Sequence, residues 1–276
     1  MSTGLLGFET IAERKEGSDA YVSASRLNLW LKCPLAWRLR YRDGIRTPTS
    51  PALLLGKFVH AGLEALYRHR QLGIQLDAEQ VTGKMLDTWA KLLDEEEFVF
   101  DSVDEEQAMR QQGCDLVKAY LAYAPADEKV QAVEVALESP LIDPETGEDL
   151  GMPLVGVVDL VLDYEGGPLI CDFKTASRSS EPMQIANEIQ LTSYAYLLRH
   201  HNRWAESGLE IRSLIKTKTP KVEFHPYPPR TDAHFRRLFA VVREYLEALD
   251  RGRWNYRPGF GCALCDYRRE CSDWSP

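Results

Sequence analysis

Residues 154–164 (LVGVVDLVLDY) and 168–174 (PLICDFK) are short runs dense in β-branched and large apolar side chains, separated by the turn-forming Glu165-Gly166-Gly167. They read as two strands that pair as a hairpin. Asp159 stands in the middle of the first, and a lone carboxylate in such a run is costly to bury unless it is paired or binds a metal. In the second, Asp172 and Lys174 are two positions apart and share one face, while Cys171 and Phe173 point to the other. The hairpin therefore sets two carboxylates side by side with an ammonium group next to them. Whatever the chain folds into must accommodate that charge.

The pattern on either side changes period. Residues 23–42 read helical with an interruption at Pro34; proline suits a first helical turn, which puts Cys33 just before a second helix. Leu55, Phe58, Val59, Gly62, Leu63 and Leu66 form a helical stripe within 53–70, and two further helices cover 77–97 and 104–123. Alternation begins at 130–138, with Val133, Val135 and Leu137 on one face and Glu134 on the other. After the hairpin come a helix at 183–200, a strand pair around 209–226 and an amphipathic helix at 231–250, then an irregular tail from Trp254. This order describes an α/β core with a helical region on its N-terminal side. It divides the chain into a flexible leader (1–22), an N-terminal helical region (23–125), a core (126–253) and a cysteine-rich tail (254–276).

A chain of 276 residues forms one large domain or two small ones and buries enough surface to need no disulfide scaffold. Its 44% hydrophobic and 27% charged composition excludes wholesale disorder and fibrous repeats. No apolar run approaches the roughly 20 residues that span a bilayer, and the first residues lack a basic stretch followed by an apolar one. A cytoplasmic protein with no membrane partner is expected. In a reducing compartment, the six cysteines read as metal ligands or catalytic groups before disulfides. The net charge of −9 is matched by residues 77–106 alone, with eleven acids and two lysines. Residues 23–48 carry six bases against one acid, and 199–253 twelve against seven, so a polyanionic partner stays open.

Asp159 and Asp172 offer the oxygen donors that Mg²⁺ or Mn²⁺ prefer, and Lys174 beside them can orient or help deprotonate a water. The plain alternative is an Asp172–Lys174 ion pair at a strand end. His60 flanks its helix's apolar stripe, with Gly56 one turn before it, offering close approach to a strand, and Glu64 one turn after. Gln190 and Tyr194, at i and i+4, share a helix face; the amide can orient a phosphate or a lysine, and the phenol can stack or donate. Cys262, Cys265 and Cys271 form C-x2-C-x5-C, with Cys33 the candidate fourth thiol. Four thiolates suit zinc or an iron–sulfur cluster, and spacing does not decide between them. In the tail, Trp254, Tyr256, Phe260 and Tyr267 interleave with Arg253, Arg257, Arg268 and Arg269, a mixture that either stacks single-stranded bases or packs around a metal centre.

Taken in order, Ser23-x-Ser25, Cys33-Pro34, GKFVH at 56–60, GVVD at 156–159, DFKT at 172–175, QLTSY at 190–194 and the cysteine triplet resemble the RecB-like branch of the PD-(D/E)xK nuclease superfamily. The likeness is closest to its iron–sulfur members, such as the CRISPR adaptation exonucleases and the nuclease domain of AddB, and runs from about residue 23 to 271. It implies a restriction-endonuclease-like core with a mixed central sheet. It also implies a Mg²⁺- or Mn²⁺-dependent DNA exonuclease acting on single-stranded or frayed ends in recombination, repair or phage DNA processing. By the same resemblance, His60, Asp159, Asp172 and the Phe173 carbonyl are metal ligands and Lys174 is the catalytic lysine. Gln190 and Tyr194 contact nucleic acid near the site, and Cys33, Cys262, Cys265 and Cys271 hold a 4Fe-4S cluster. Lys216 and Lys218, with Lys221, are further candidate DNA contacts, and Glu134 can approach the metal. Val158 replaces the proline of the superfamily's name motif, as is usual in this branch. With no helicase motif alongside, a stand-alone nuclease or a subunit working with a helicase or recombination factor is expected. Two alternatives stand beside this reading: a non-cleaving DNA-end-binding subunit, and a CRISPR spacer-adaptation nuclease.

Overall fold

Strand β1 (Val130–Ile142) runs antiparallel to β2 (Asp149–Tyr164) along nearly their whole lengths. A tight turn with left-handed Gly166 (φ 90°) and Gly167 (φ 136°) then returns the chain into β3 (Gly167–Ala176). Helix α7 (Gln184–Asn202) crosses over to β4 (Gly208–Ile215), which lies parallel to β3 and so needs a long connection. β5 (Lys221–Tyr227) adds antiparallel to β4, giving a mixed sheet in the order β1-β2-β3-β4-β5. This computed structural model describes residues 20–179, 184–202 and 205–274; the expected leader up to residue 19, and residue 183 at the expected helix start, lie outside the described residues.

The sheet separates two hydrophobic clusters. On one face lie α3 (Pro51–Gln71), α4 (Ala78–Asp87), α5 (Trp89–Glu95) and α6 (Val103–Tyr123). Ser50 caps α3 by accepting from the Leu53 N–H, with Pro51 in its first turn. The expected stripe of α3 is buried, and Phe58, Leu63 and Tyr67 pack with Leu160, Cys171, Phe173 and Leu214. The other face carries α7, whose Leu191, Ala195 and Leu198 pack with Val158, Ile170 and Ile211. Behind α7 lie α8 (Asp232–Asp250) and α1 (Ala24–Lys32), which contribute Phe239, Tyr245 and Trp30 to the same cluster. Each such buried large side chain contributes about 1.5–3 kcal/mol. No helix among the described residues is long and apolar enough to cross a membrane.

The tail folds back onto the start of the described chain. Cys33 ends α1 in extended geometry and Pro34 opens α2 (Pro34–Trp37), as expected. Trp254 stacks flat on Trp37, with ring centroids 5.4 Å apart and 1° between planes. Tyr267 is buried against Leu35, Ala36 and Leu39 and donates its hydroxyl to Ile45 O at 3.2 Å. The tail is more regular than expected, holding a 3-10 turn at Phe260–Leu264 and helix α9 (Arg268–Asp273). The basic segment 23–48 thus packs on the α7 face, while the acidic α4 and α5 pack on the opposite one.

Four further expectations change. Val22, expected at the end of a flexible leader, is fully buried and bridges β2, its N–H donating to Pro153 O and its carbonyl accepting from the Val155 N–H, both at 2.8 Å. The single helix over 77–97 breaks at Thr88, whose hydroxyl donates to Met85 O at 2.7 Å and competes with the helical ladder. The β1–β2 hairpin is longer than expected at both strands, because Pro140, Gly147, Gly151 and Pro153 disguise its outer half as loop. Val133, Val135 and Leu137 do not share a face. Glu134 adopts φ 45°, which re-aims the strand, so Val133 packs with the α3 cluster while Val135 and Leu137 pack with the α7 cluster. On the same rung β2 switches too, with Val158 on the α7 side and Leu160 on the α3 side.

Candidate active site

The sheet forks at the two carboxylates. β2 and β3 pair from Tyr164–Gly167 as far as Leu160–Cys171, and the next rung would be Asp159 opposite Asp172. Beyond it β2 stays with β1 while β3 stays with β4, which opens a cleft between the strands. Asp159 bridges the mouth of the fork: its Oδ2 accepts from the Phe173 N–H at 2.8 Å.

Helix α3 supplies His60 from one side. Its Nε2 donates to the Phe173 carbonyl at 3.1 Å, and Nδ1 faces Glu134 Oε1 at 3.8 Å and Asp159 Oδ2 at 3.9 Å. Glu134 reaches this point through the left-handed backbone noted above, a conformation uncommon for a non-glycine residue and concentrated at functional sites. Gly56 faces the DFKT segment, but a methyl there would stand 3.4 Å from Thr175 Oγ1, an ordinary contact, so the approach of α3 does not depend on the glycine. Helix α7 supplies the other side. Gln190 Nε2 donates to Asp172 Oδ1 at 3.0 Å and to the Tyr194 hydroxyl at 2.8 Å, and Gln190 Oε1 accepts from Lys174 Nζ at 3.0 Å. Lys174 Nζ also lies 2.8 Å from Asp172 Oδ2, so the ammonium is held between carboxylate and amide. At Gly156 a side chain would meet Leu197 Cδ1 at 2.9 Å, and that bare position lets α7 lie close to β2 beside Tyr194.

The charges are frustrated without a cation. Burial, then the neighbouring Asp172 charge, pushes the Asp159 carboxyl up to about 7. Burial works to lower the His60 pKa, yet Glu134, Asp159 and Asp172 outweigh it and the imidazole is raised. Burial and the same carboxylates hold the Tyr194 phenol well above its ordinary range. Ligand atoms of His60, Glu134 and Asp159 lie within 4.8 Å of one another. An oxygen-rich set with one imidazole fits a hard divalent ion such as Mg²⁺ or Mn²⁺.

The family model for the PD-(D/E)XK nuclease superfamily matches residues 21–272. The chain belongs to this superfamily. Its members use divalent metals, and it is accordingly a nuclease, a hydrolase. A candidate exonuclease from Eubacterium rectale shares the fold, with a TM-score of 0.55 and 15% identity over 91% of this chain and 88% of that one. The structure of SSO0001 aligns over 91% of this chain and 85% of its own, with 12% identity and a TM-score of 0.48. No curated protein matches the chain in sequence.

In this PD-(D/E)XK chain the remaining expected residues fall into three groups. Lys216 follows β4 at the forked end of the sheet, its N–H donating to Ala176 O at 2.8 Å; Lys218 lies in the β4–β5 turn and Lys221 opens β5, paired with Ile215. Ser23 caps α1 by accepting from the Arg26 N–H at 3.3 Å, and its hydroxyl lies 3.0 Å from that of Ser25, so this motif serves a helix end. Cys33, Cys265 and Cys271 pack beside Leu35 and Tyr267. Burial, then the nearby Cys33, Cys265 and Cys262, raises the Cys271 thiol, so the four sulfurs share one neighbourhood. Among the described residues no three of them come within 4.8 Å of one another.

The tail aromatics divide: Trp254 and Tyr267 are buried, whereas Tyr256 and Phe260 are exposed, Phe260 completely at 103%. Sequence reasoning missed Arg212, buried in β4 on the rung of Phe173; its signal was a charged residue in the middle of GLEIRSLI.

Proposed function

We propose that this PD-(D/E)XK nuclease is a Mg²⁺- or Mn²⁺-dependent DNA exonuclease that acts on single-stranded or frayed ends. The observation that carries the reading is the fork, which gathers His60, Glu134, Asp159, Asp172, Lys174 and Gln190 in one cleft. His60, Glu134, Asp159 and Asp172, with the Phe173 carbonyl, would hold the ion. When bound, it supplies a Lewis acid for the scissile phosphate and balances the charge that develops there. Asp172 and Gln190 aim the Lys174 ammonium at that position, where it orients the attacking water and offsets developing negative charge. Tyr194 stays a neutral phenol and fixes the Gln190 amide, which leaves Gln190 pre-set beside the phosphate. The intact lysine speaks against a non-cleaving, end-binding role.

DNA is favoured as substrate by the segregation of charge. Segment 23–48, with six bases and one acid, packs with the tail on the α7 face, away from the acidic helices. Lys216, Lys218 and Lys221 extend cationic side chains at the forked end, and Tyr256 and Phe260 offer faces for stacking unpaired bases. We assign Cys33, Cys262, Cys265 and Cys271 to a 4Fe-4S cluster that clamps this basic lobe to the core. Ends of this kind arise in recombination, repair and phage DNA processing, where a helicase or recombination factor would supply them.

The test is cleavage of linear and circular single-stranded DNA with Mn²⁺ by protein purified without oxygen, beside Asp172→Ala. Loss of the linear form alone, absent in the variant, is expected. Cutting of circles overturns the exonuclease assignment, and full activity in Asp172→Ala overturns the site. Cys265→Ala should lose bound iron and brown colour; a colourless wild-type protein containing zinc would overturn the cluster.

A further inference from the structure

We propose that Arg212 is a positioning residue for the metal site, acting through Tyr67, Tyr120 and the ring of Phe173. The proposal rests on reading His60 and Asp159 as metal ligands.

The Arg212 guanidinium is 3% exposed in the middle of a strand, where a cation is tolerated only if fully partnered. Nε donates to Glu210 Oε1 at 2.7 Å and Nη2 to Glu128 Oε1 at 2.7 Å. Nη1 donates to the Tyr120 hydroxyl at 2.7 Å and the Tyr67 hydroxyl at 2.8 Å, and the Phe224 ring covers the group at 4.3 Å. Tyr67 donates onward to Glu128 Oε2 at 2.7 Å, and the two phenol oxygens are 2.6 Å apart. Neither phenol can turn without breaking a charge-assisted bond.

Those two rings are walls around Phe173. Tyr67 stacks on it at 5.9 Å and 27°, Tyr120 meets it edge-on at 5.6 Å and 90°, and the His60 ring closes a third side at 6.1 Å and 89°. The Phe173 peptide is the piece of backbone that touches both ligands, its C=O on His60 and its N–H on Asp159. Because β3 has left β2 at this rung, no ladder bond fixes Phe173 relative to Asp159. Apart from its two bonds to the ligands themselves, Phe173 is held by its pairing with Arg212 across β3 and β4 and by the box that Arg212 locks. A loosened box lets the Phe173 peptide drift and separates His60 from Asp159. Outer partners of metal ligands elsewhere change affinity 10- to 100-fold on mutation.

Truncating Arg212 would strand two buried carboxylates, so the test uses Tyr67→Phe and Tyr120→Phe, each of which removes one hydroxyl. Mn²⁺ binding to the metal-stripped full chain is titrated by EPR, with thermal melting alongside. Tyr196→Phe is the control, since it removes a hydroxyl that bonds Ile142 N–H and Pro140 O on the opposite face. The expected result is about a tenfold weaker Mn²⁺ affinity in both box variants, and a matching rise in the Mn²⁺ needed for half-maximal cleavage. DNA KM and the rate at saturating Mn²⁺ should stay near wild type, and Tyr196→Phe should bind Mn²⁺ normally. Unchanged affinity in both box variants, or an equal loss in the control, overturns the proposal. A wild type that binds no Mn²⁺ overturns the ligand reading first and this proposal with it.

Discussion

Removing the metal should leave a protein that weakens as pH rises, and the site geometry sets how much. Asp159 is 8% exposed, and its carboxyl lies at about 7 when folded against 3.8 ordinarily. The folded state therefore holds this proton more tightly than the unfolded one. The penalty is absent below pH 4, grows as pH rises from 3.8 to 7 and is constant above. At about 1.4 kcal/mol per pH unit the full effect is about 4 kcal/mol, of which about 3 kcal/mol falls between pH 5 and 8. His60 acts in the same direction: its raised folded pKa gives stability that is present below 6.5 and lost as pH rises through the folded value. The lowered carboxyls of Asp143, Glu188 and Glu96 act oppositely at lower pH, and within the window the His234 imidazole, lowered by burial and then by Arg230, also acts oppositely, adding stability as pH rises toward 6.5 and offsetting part of the site's effect. The assay is thermal melting of chelator-treated protein from pH 5 to 8. At roughly 2 °C per kcal/mol, the Asp159 share should lower Tm by about 6 °C. Asp172→Asn keeps shape and an acceptor but removes the second charge, so its slope should be shallower; the lost Lys174 pair displaces the whole curve instead. Saturating Mn²⁺ at pH 8 should restore wild-type Tm, by about 2.7 kcal/mol at a hundredfold excess over Kd. A flat Tm in the stripped wild type, or an equal slope in Asp172→Asn, refutes the reasoning.

Other outcomes follow from single positions. Gly113→Ala puts a methyl 2.6 Å from Phe58 Cδ1, and this overpacking should cost about 1–3 kcal/mol in a urea titration. Glu206, 2% exposed, accepts from Arg199 Nε at 2.7 Å, Arg199 Nη2 at 2.8 Å and the Arg230 N–H at 2.7 Å. Glu206→Ala should cost about 3–5 kcal/mol by the same measurement, and a loss under 1 kcal/mol would show that the pair is not structural. Phe260→Ser should leave Tm unchanged, because the ring buries nothing, yet weaken single-stranded DNA binding by about 1–3 kcal/mol in fluorescence anisotropy.

Local chemistry explains which parts of this fold are readable in the sequence. The β2–β3 hairpin is legible because β-branched runs and a two-glycine turn are local signals, and its period of two places Asp172 and Lys174 together. The pairing of Gln190 with Lys174 follows from helical spacing only once α7 is known to cross the sheet. The face switch at Glu134 is invisible beforehand: a left-handed φ at a glutamate has no compositional mark and is imposed by the site it serves. Arg212 is hidden for a related reason, since its partners Glu128, Tyr67 and Tyr120 come from three separate segments. Trp254 and Tyr256 look alike in the tail, and only the fold shows that one is stacked on Trp37 while the other is exposed.

The return of the tail to α1 and α2 has a consequence for biosynthesis. Arg257 donates to Leu31 O across 226 positions, and Trp254 closes over Trp37 beside it. A ribosome delivers Cys33 long before Cys271, so the early half of the lobe waits with Leu35 and Trp37 uncovered. Assembly of the basic lobe therefore waits until the tail has been made. A chain interrupted before residue 254 presents sticky apolar surface to the cell's quality control rather than a half-formed nuclease.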